Sequence, residues 1–353
     1  MRPATLAELR DAVRDTDGPL LVCGAGTAAG WAGTPSPDAA RIETTGLAGI
    51  TTYNPDDMTV AVRAGTPLAW LQAELASHGQ RIALDAARVP AGGTVGGLVA
   101  TADSGPLRHS HGGPRDLVIG VTVVLADGTV ARSGGHVIKN VAGYDLGKLF
   151  CGSFGTLGVL AEVVLRVHPL PPATRTVALP CDAVEALDAV GRVLAARLEP
   201  VALEWCDGSL LARYEGGPSS VERRASATLL HSAGTVLDPT EEAEAWRRVS
   251  EVSDEPTVVR CGTRPDQFPY VAKHATRVTS SVAVGVHTVA VAGAAEVERL
   301  RAEFEHVTLC RRPPGSDLPA WGRPHASVPL MRAVKQQFDP AGRLGVGRFA
   351  PWF

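Results

Sequence analysis

The segment PLLVCGAGTAAG (residues 19–30) joins a short apolar run to a glycine-rich turn. A Rossmann glycine loop has this composition, but it must lead from a strand directly into a helix whose N-terminus holds the pyrophosphate. The residues that follow, WAGTPSPDAARIE, contain Pro35 and Pro37 and no helical apolar period, and proline disfavours a helix interior. The segment therefore predicts a strand and then a loop that offers backbone N–H groups to a phosphate without a helix behind it. A plain turn between strands is the alternative.

Composition excludes several classes of protein. The chain has 353 residues, 45% of them apolar, enough to fill a core in each of two domains. Its 34 Lys and Arg residues nearly balance 37 Asp and Glu, and no basic block occurs, which argues against nucleic acid as a partner. No apolar run approaches the roughly 20 residues of a membrane span. The cysteines are scattered without a C-x-x-C pair, so we expect no disulfide framework and no metal.

Two further segments have clear local patterns. The segment TVAVRAGTPLAWLQAELASHG (59–79) predicts a strand and then a helix, with Leu68 and Leu71 on its apolar face, Thr66 as N-cap and Pro67 at the first helical position. The glycine-rich segment VPAGGTVGGLVATADSGP (89–106) predicts a buried loop whose backbone approaches a ligand closely. A flexible loop is the alternative for this second segment.

Six strings occur in a fixed order along the chain: GAGT (24–27), AGGTVGGLVAT (91–101), SGPLRHSHGGPRDLVIG (104–120), KNVAGYDL (139–146), GSFGTLGVL (152–160) and FDPAGRLGVGRF (338–349). In this combination the sequence resembles FAD-binding oxidoreductases of the vanillyl-alcohol-oxidase type, and among them the smaller of the FAD-binding subunits of glycolate oxidases. The resemblance implies an α+β fold, with a two-subdomain PCMH-type flavin domain (1–172) and a C-terminal return to it (321–353). The alternating strands and helices between them predict a small antiparallel α+β cap (173–320).

The resemblance also implies which residues hold the cofactor. In such folds the first glycine loop and the TVGG loop donate backbone N–H groups to the FAD pyrophosphate, and later segments lie along the flavin. The residues at these positions are Gly24, Ala25, Gly26, Thr27, Thr94, Val95, Gly96, Gly97, Ser104, Gly105 and Val159. Because neither loop contains Lys or Arg, we expect main-chain donors alone to hold the phosphates.

The string RSGGH (132–136) resembles the one that carries the linking histidine in relatives with covalently attached flavin. Here His136 follows a predicted hairpin instead of lying in the first glycine loop, so we expect FAD to be bound non-covalently. Arg108, Lys139 and Tyr144 are the candidates for contact with a substrate carboxylate or with the flavin. For Arg115 we expect an ion pair with the adjacent Asp116.

The implied function is FAD-dependent oxidation of a small 2-hydroxy acid within a glycolate oxidase-like complex. The implied partners are a larger flavin subunit and an iron–sulfur subunit, and the protein would be cytoplasmic, or peripheral to the inner face of the membrane through those partners. Catalytic relatives bind a metal through a histidine and acidic cluster in the C-terminal half, and no such cluster is found in this sequence. The alternative is therefore an assembly or electron-transfer subunit that binds FAD without a substrate of its own.

Overall fold

A computed structural model describes residues 1–137 and 143–353 of the chain. The described residues form two compact units. The first unit comprises Met1–Gly105, Gly112–Leu170 and Pro324–Phe353, and the second comprises Pro106–His111 and Pro171–Arg323. The sequence-based division places residues 106–111 in the first domain instead. Within the described residues, no helix has the length and apolar character needed to cross a membrane.

The helices and strands are numbered along the chain. The helices are α1 (Leu6–Arg14), α2 (Leu68–Ala76), α3 (Val95–Thr101), α4 (Arg108–His111), α5 (Pro114–Leu117), α6 (Leu146–Phe150), α7 (Glu185–Ala195), α8 (Pro218–His231), α9 (Pro239–Glu251), α10 (Phe268–Lys273), α11 (Ala294–Glu303) and α12 (Val328–Phe338). The strands are β1 (Leu20–Cys23), β2 (Ala40–Glu43), β3 (Ile50–Asn54), β4 (Thr59–Arg63), β5 (Gln80–Arg81), β6 (Val118–Val124), β7 (Val130–Gly134), β8 (Val159–Arg166), β9 (His168–Pro169), β10 (Ala173–Pro180), β11 (Ala202–Cys206), β12 (Ser209–Gly216), β13 (Thr235–Val236), β14 (Val258–Gly262), β15 (Arg277–Ser281), β16 (Val286–Ala290) and β17 (His306–Arg311).

The first unit contains a parallel pair, β1–β2, and a five-stranded antiparallel sheet in the order β3-β4-β8-β6-β7. Strand β8 lies at the centre of this sheet, and all its residues except Glu162 and Arg166 are buried. Strands β6 and β7 form a hairpin, as the Asp127–Gly128 signal predicts: Asp127 accepts the Thr129 N–H at 2.8 Å, and Gly128 has φ +86°. This sheet supports one side of the glycine-rich segments.

Helix α2 begins one residue later than its sequence predicts. Pro67 is the N-cap, with an extended backbone, and the helix starts at Leu68. The Thr66 hydroxyl does not cap the helix; it donates to the Arg63 carbonyl at 2.7 Å and accepts the Gly49 N–H at 2.9 Å. The competing local hydrogen bonds explain the shift, because a threonine side chain bonded to its own turn is unavailable to the helix.

The second unit is built on an eight-stranded antiparallel sheet in the order β13-β10-β12-β11-β15-β16-β14-β17. Two of its buried polar side chains, Glu204 and His287, have hydrogen-bond partners within the unit. The Glu204 carboxylate accepts hydrogen bonds from the hydroxyls of Thr279 and Ser281, each at 2.6 Å. His287 lies 2.7 Å from both the Ser280 and Thr263 hydroxyls, and burial lowers its pKa to about 4. Since burial penalises the imidazolium form, this histidine is a neutral core residue.

The C-terminal segment, residues 343–353, returns to the start of the first unit. The Leu20 N–H donates to the Arg343 carbonyl at 2.7 Å, and the Gly345 N–H donates to the Leu20 carbonyl at 2.8 Å, so the segment extends the parallel pair beside β1. Phe349 and Trp352 are buried. The last aromatic residues therefore belong to the core of this unit.

Candidate cofactor-binding site

The first glycine-rich segment, residues 24–30, follows β1 as an irregular turn with no helix behind it. The turn is closed by hydrogen bonds from Ala29 N–H to the Gly26 carbonyl and from Trp31 N–H to the Ala28 carbonyl, each 3.0 Å. Among the described residues, the N–H groups of residues 25–28 have no acceptor. Gly26 has φ +79°, a conformation that glycine adopts without strain. Consecutive free N–H groups in such a turn form an anion-binding nest.

Residues 95–101 of the second glycine-rich segment form helix α3, so the prediction of a loop is wrong for this part of it. Thr94 is the N-cap of α3, and its hydroxyl accepts the Gly97 N–H at 3.2 Å. The Val95 N–H donates to the Thr66 carbonyl at 2.9 Å, and the Gly96 N–H donates to the Ala64 carbonyl at 2.7 Å. These three N–H groups therefore have acceptors inside the chain, and what the segment contributes is a surface of small residues.

The two segments touch each other at Gly24 and Thr94. A Cβ atom built on Gly24 would lie 2.2 Å from Thr94 Oγ1, far inside any normal contact. Only glycine allows this approach. The contact fixes the distance between the first segment and the N-terminus of α3.

A third wall comes from residues 153–155, in the string GSFGTLG. The Phe154 N–H donates to the Ala100 carbonyl at 2.8 Å, which ties this turn to α3. Phe154 has φ +52°, and a Cβ on Gly155 would meet Val22 at 3.4 Å. Sequence patterns alone assign no role to Phe154, although its position beside a glycine is typical of a tight turn.

These three walls enclose a cavity of about 300 Å³ in the first unit. Its size lies at the lower end of the range for small-molecule sites. The predicted cofactor-binding residues that line it are Gly24, Ala25, Gly26, Thr27, Thr94, Gly96 and Gly97. Val95 and Val159 are instead buried in the core of the unit. Neither Ser104 nor Gly105 is among the described residues that line this cavity.

Two arginines that the sequence did not indicate also line the cavity: Arg41 on β2 and Arg348 in the C-terminal segment. Two cationic side chains thus lie at this site beside the main-chain donors that the sequence predicts. The arginines lie 17 and 324 positions after Gly24, the start of the first segment, so no local pattern connects them with it. Arg41 Nε lies 2.9 Å from Cys23 Sγ. Burial raises the pKa of the Cys23 thiol, and the positive charge of Arg41 partly offsets this increase.

A buried ion pair lies beside the first glycine-rich segment. Arg88 Nε donates to Asp103 Oδ2 at 2.9 Å, and both side chains are more than nine-tenths buried. The second arm of the guanidinium donates to the Thr101 hydroxyl at 2.8 Å, at the end of α3. Its Cζ atom lies 4.0 Å from the centre of the ring of Trp31, which follows the first glycine segment. Arg88 thus connects both glycine-rich segments.

Of the candidate catalytic residues, Arg108 and Tyr144 are not among the described residues that line this cavity. Arg108 begins α4, which belongs to the second unit. Tyr144 is 91% exposed, and its backbone carbonyl accepts the Ser133 hydroxyl at 3.1 Å. Lys139 lies outside the described residues. For Arg115, the described residues include no ion pair with Asp116, whose carboxylate accepts the Gly113 N–H at the start of α5, so that expectation is wrong.

His136 has a structural environment of its own. Its Nδ1 lies 2.8 Å from the Thr59 hydroxyl and 3.2 Å from Asn54 Nδ2. It is not among the described residues that line the cavity. Non-covalent binding of the cofactor stays a prediction from the sequence.

Comparison with known proteins indicates the cofactor. Residues 1–134 match the family model described as FAD binding domain. The cavity fits the group, because it combines free backbone N–H groups, a close approach that only glycine permits and two cationic side chains. The predicted FAD cofactor and the resemblance to vanillyl-alcohol-oxidase-type flavoproteins are confirmed.

Curated relatives point in the same direction. The chain is 37% identical to glycolate oxidase subunit GlcE of Escherichia coli over 49% of this chain and 50% of the relative. It is 33% identical to glycolate oxidase subunit GlcD of Bacillus subtilis over 50% of this chain and 38% of the relative. A mitochondrial D-lactate dehydrogenase (cytochrome) of Arabidopsis thaliana is 40% identical over 33% and 20%. The chain thus spans about half the length, or less, of these relatives.

A solved structure confirms the predicted fold. An alkyldihydroxyacetonephosphate synthase superposes with a TM-score of 0.72 and 16% sequence identity, covering 98% of this chain and 75% of that chain. At this identity the likeness concerns the fold. The α+β architecture with a PCMH-type FAD-binding domain is therefore confirmed, including an antiparallel sheet in the second unit.

Proposed function

We propose that this protein is the FAD-binding subunit of a 2-hydroxy-acid oxidoreductase of the glycolate oxidase type. The observation that carries the proposal is the cavity whose wall contains the free N–H groups of residues 25–28, in a chain similar to glycolate oxidase subunits and D-lactate dehydrogenases. When bound, FAD would supply the redox chemistry of such an oxidation. The chain binds the phosphates, orients the flavin and shields it from water.

The division of labour among the residues follows from their positions. Residues 25–28 would donate to phosphate oxygens, and Gly24 keeps them close to Thr94. Helix α3 and Phe154 would form the walls along which the rest of the cofactor lies. Ser104 and Gly105 remain proposed contacts of the isoalloxazine or ribityl chain, and Val159 remains a proposed main-chain contact of the cofactor. Proposed polar contacts with substrate or flavin remain Arg108, Lys139 and Tyr144. A preformed site of this kind reduces the entropy lost on binding.

The proposed complex contains a larger flavin subunit and an iron–sulfur subunit, and the proposed location is the cytoplasm or the inner face of the membrane. The similarity to glycolate oxidase subunit GlcE supports a role within an assembly. A second candidate is a subunit in which FAD is an electron-transfer or structural element without its own substrate. This candidate is favoured because, within the described residues, no group of three His, Cys, Asp or Glu side chains could hold a metal ion.

Anaerobic reduction separates the two candidates. The purified full chain, loaded with FAD, is mixed with glycolate or D-lactate, and the visible flavin absorbance is followed. Bleaching by either acid supports oxidation of a substrate by this chain. Bleaching that requires co-expressed partner subunits supports the electron-transfer candidate. A chain that does not bind FAD at all contradicts both.

A further inference from the structure

Two arginines provide the charge at the cavity that the backbone of residues 24–30 cannot provide. Among the described residues that line the cavity, Arg41 and Arg348 are the charged ones, and no carboxylate joins them. The FAD diphosphate carries two negative charges, so a wall with two guanidinium groups and no acid is complementary to it. The role of these arginines rests on the assignment of FAD to this cavity.

The Arg41 guanidinium group has N–H donors available for a ligand. It lies on β2, adjacent to Cys23 on β1, with the parallel register pairing Leu21 to Arg41. Its Nε donates to Cys23 Sγ at 2.9 Å, and within the described residues it forms no ion pair. A guanidinium group has five N–H donors in a planar fork, and a weak sulfur acceptor leaves the rest available for phosphate oxygens.

Arg348 connects the C-terminal segment to the same turn. Its Nη1 donates to the Trp31 carbonyl at 2.9 Å and to the Ala29 carbonyl at 3.2 Å, and its own carbonyl accepts the Gly33 N–H at 2.8 Å. A Cβ on Gly33 would lie 2.0 Å from the Gly347 carbonyl oxygen. The side chain is buried. The segment that follows residues 25–28 is therefore fastened by the C-terminal segment.

The two guanidinium groups lie at opposite ends of residues 24–30. Arg41 Nε contacts Cys23 Sγ, immediately before Gly24, and Arg348 Nη1 contacts the Ala29 carbonyl. Burial raises the pKa of the Cys23 thiol, the charges of Arg41 and Arg348 lower it, and the charge of Glu43 raises it. In a partly buried site such charges are screened less than on an open surface.

We propose that Arg41 and Arg348 bind the diphosphate of FAD together with the N–H groups of residues 25–28. The C-terminal segment is then part of the cofactor site, although the matched FAD-binding domain ends at residue 134. Charge-assisted hydrogen bonds from guanidinium to phosphate are short and directional. FAD affinity consequently depends on docking of the C-terminal segment and on ionic strength.

The test measures the dissociation constant of FAD by titration of the full-length chain at several salt concentrations. The variants are Arg41→Met and Arg348→Met, and the matched control is Arg166→Met, an exposed arginine on a strand of the same unit that does not line the cavity. We expect each of the first two changes to weaken FAD binding about tenfold or more. The salt dependence should become shallower in both, and the control should match the unaltered chain.

Arg348→Lys separates the charge of Arg348 from its hydrogen bonds to the turn. Lysine keeps the charge but lacks the planar fork, so affinity should fall while the salt dependence stays that of the unaltered chain. Arg348→Met with an unchanged salt dependence would show that Arg348 acts only by holding the turn, and would overturn the proposal for that residue. Arg41→Met with unchanged affinity and salt dependence would overturn it for Arg41.

FAD binding by the unaltered chain distinguishes a failure of this inference from a failure of the proposed function. If the unaltered chain binds FAD and all three variants match it, the arginines are not ligands, and the assignment of FAD stands. If the unaltered chain fails to bind FAD, the cofactor assignment itself is contradicted, and this inference falls with it.

Discussion

Residues 24–30 and residues 92–101 are both rich in glycine, alanine and threonine, yet they use their backbone N–H groups in opposite ways. In the first segment, the N–H groups of residues 25–28 have no acceptor in the described chain. In the second, Val95, Gly96 and Gly97 donate to Thr66, Ala64 and Thr94. The same small residues thus provide hydrogen-bond donors in one place and a smooth helical wall in the other.

The difference comes from the residues on either side. Pro35 and Pro37 follow the first segment and disfavour a helix, whereas Thr94 caps α3 and Leu98 and Val99 bury its apolar side. Once a helix forms, its first N–H groups need acceptors, and the turn before α2 supplies the Thr66 and Ala64 carbonyls. Substitutions in the two segments should therefore have different consequences: lost FAD affinity in the first and lost stability in the second.

Gly24→Ala should have the largest effect. Its Cβ would lie 2.2 Å from Thr94 Oγ1, so the two segments must move apart and the donors must shift. We expect FAD binding to weaken about a hundredfold, since hydrogen bonds tolerate only a few tenths of an ångström. Equilibrium titration with FAD measures the change. Gly135→Ala, where a Cβ meets nothing within 4 Å, is the control, and equal affinities for the two variants would contradict the contact.

Gly96→Ala tests the second segment by overpacking. A Cβ at this position would lie 2.7 Å from the Ala64 Cβ and 2.9 Å from the Ala64 carbonyl oxygen. We expect the free energy of unfolding to fall by about 1–3 kcal/mol, with FAD affinity of the folded protein nearly unchanged. Denaturant unfolding with and without FAD separates the two quantities. A large loss of affinity without loss of stability would show that the Gly96 backbone contacts the cofactor directly.

Gly26→Ala tests the conformation of the first segment. Space is available, because a Cβ meets nothing within 4 Å, but φ is +79°. A residue with a Cβ pays roughly 1–2 kcal/mol in that region, so the turn should relax and FAD binding should weaken about tenfold. Gly26→Asn should be milder, because asparagine tolerates left-handed backbone better. Equal FAD affinities for Gly26→Ala and the unaltered chain would show that FAD binding does not require this turn geometry.

Thr94→Ala should have the smallest effect of the series. It removes the hydroxyl that accepts the Gly97 N–H at the start of α3, and loss of an N-cap costs about 1 kcal/mol. Thermal unfolding should shift downward by a few degrees, while FAD affinity changes only a few-fold. The double variant Gly24→Ala/Thr94→Ala should bind FAD more tightly than Gly24→Ala alone, because Thr94 Oγ1, the atom closest to the added Cβ, is removed. A double variant no better than Gly24→Ala would show that the clash is not with this hydroxyl.

The sequence predicts the elements with strong local signals. Proline after the first glycine segment excludes the Rossmann unit, and the hairpin predicted before His136 is present at Asp127–Gly128. The order of six strings predicts FAD and the fold. Long-range neighbours are what local patterns miss. Arg41 and Arg348 reach the cavity through strand pairing and the return of the C-terminal segment, and α3 replaces the predicted loop because its acceptors come from the turn before α2.

Hydrogen exchange of the full-length chain with and without FAD tests the comparison most directly. We predict that FAD slows exchange of the backbone amides of residues 25–28, whose N–H groups have no acceptor in the described part of the chain. Exchange at Val95, Gly96 and Gly97 should change much less, because these amides are already hydrogen-bonded. Protection by FAD confined to residues 95–97, with none at residues 25–28, would contradict the assignment of the first segment as the phosphate-binding turn.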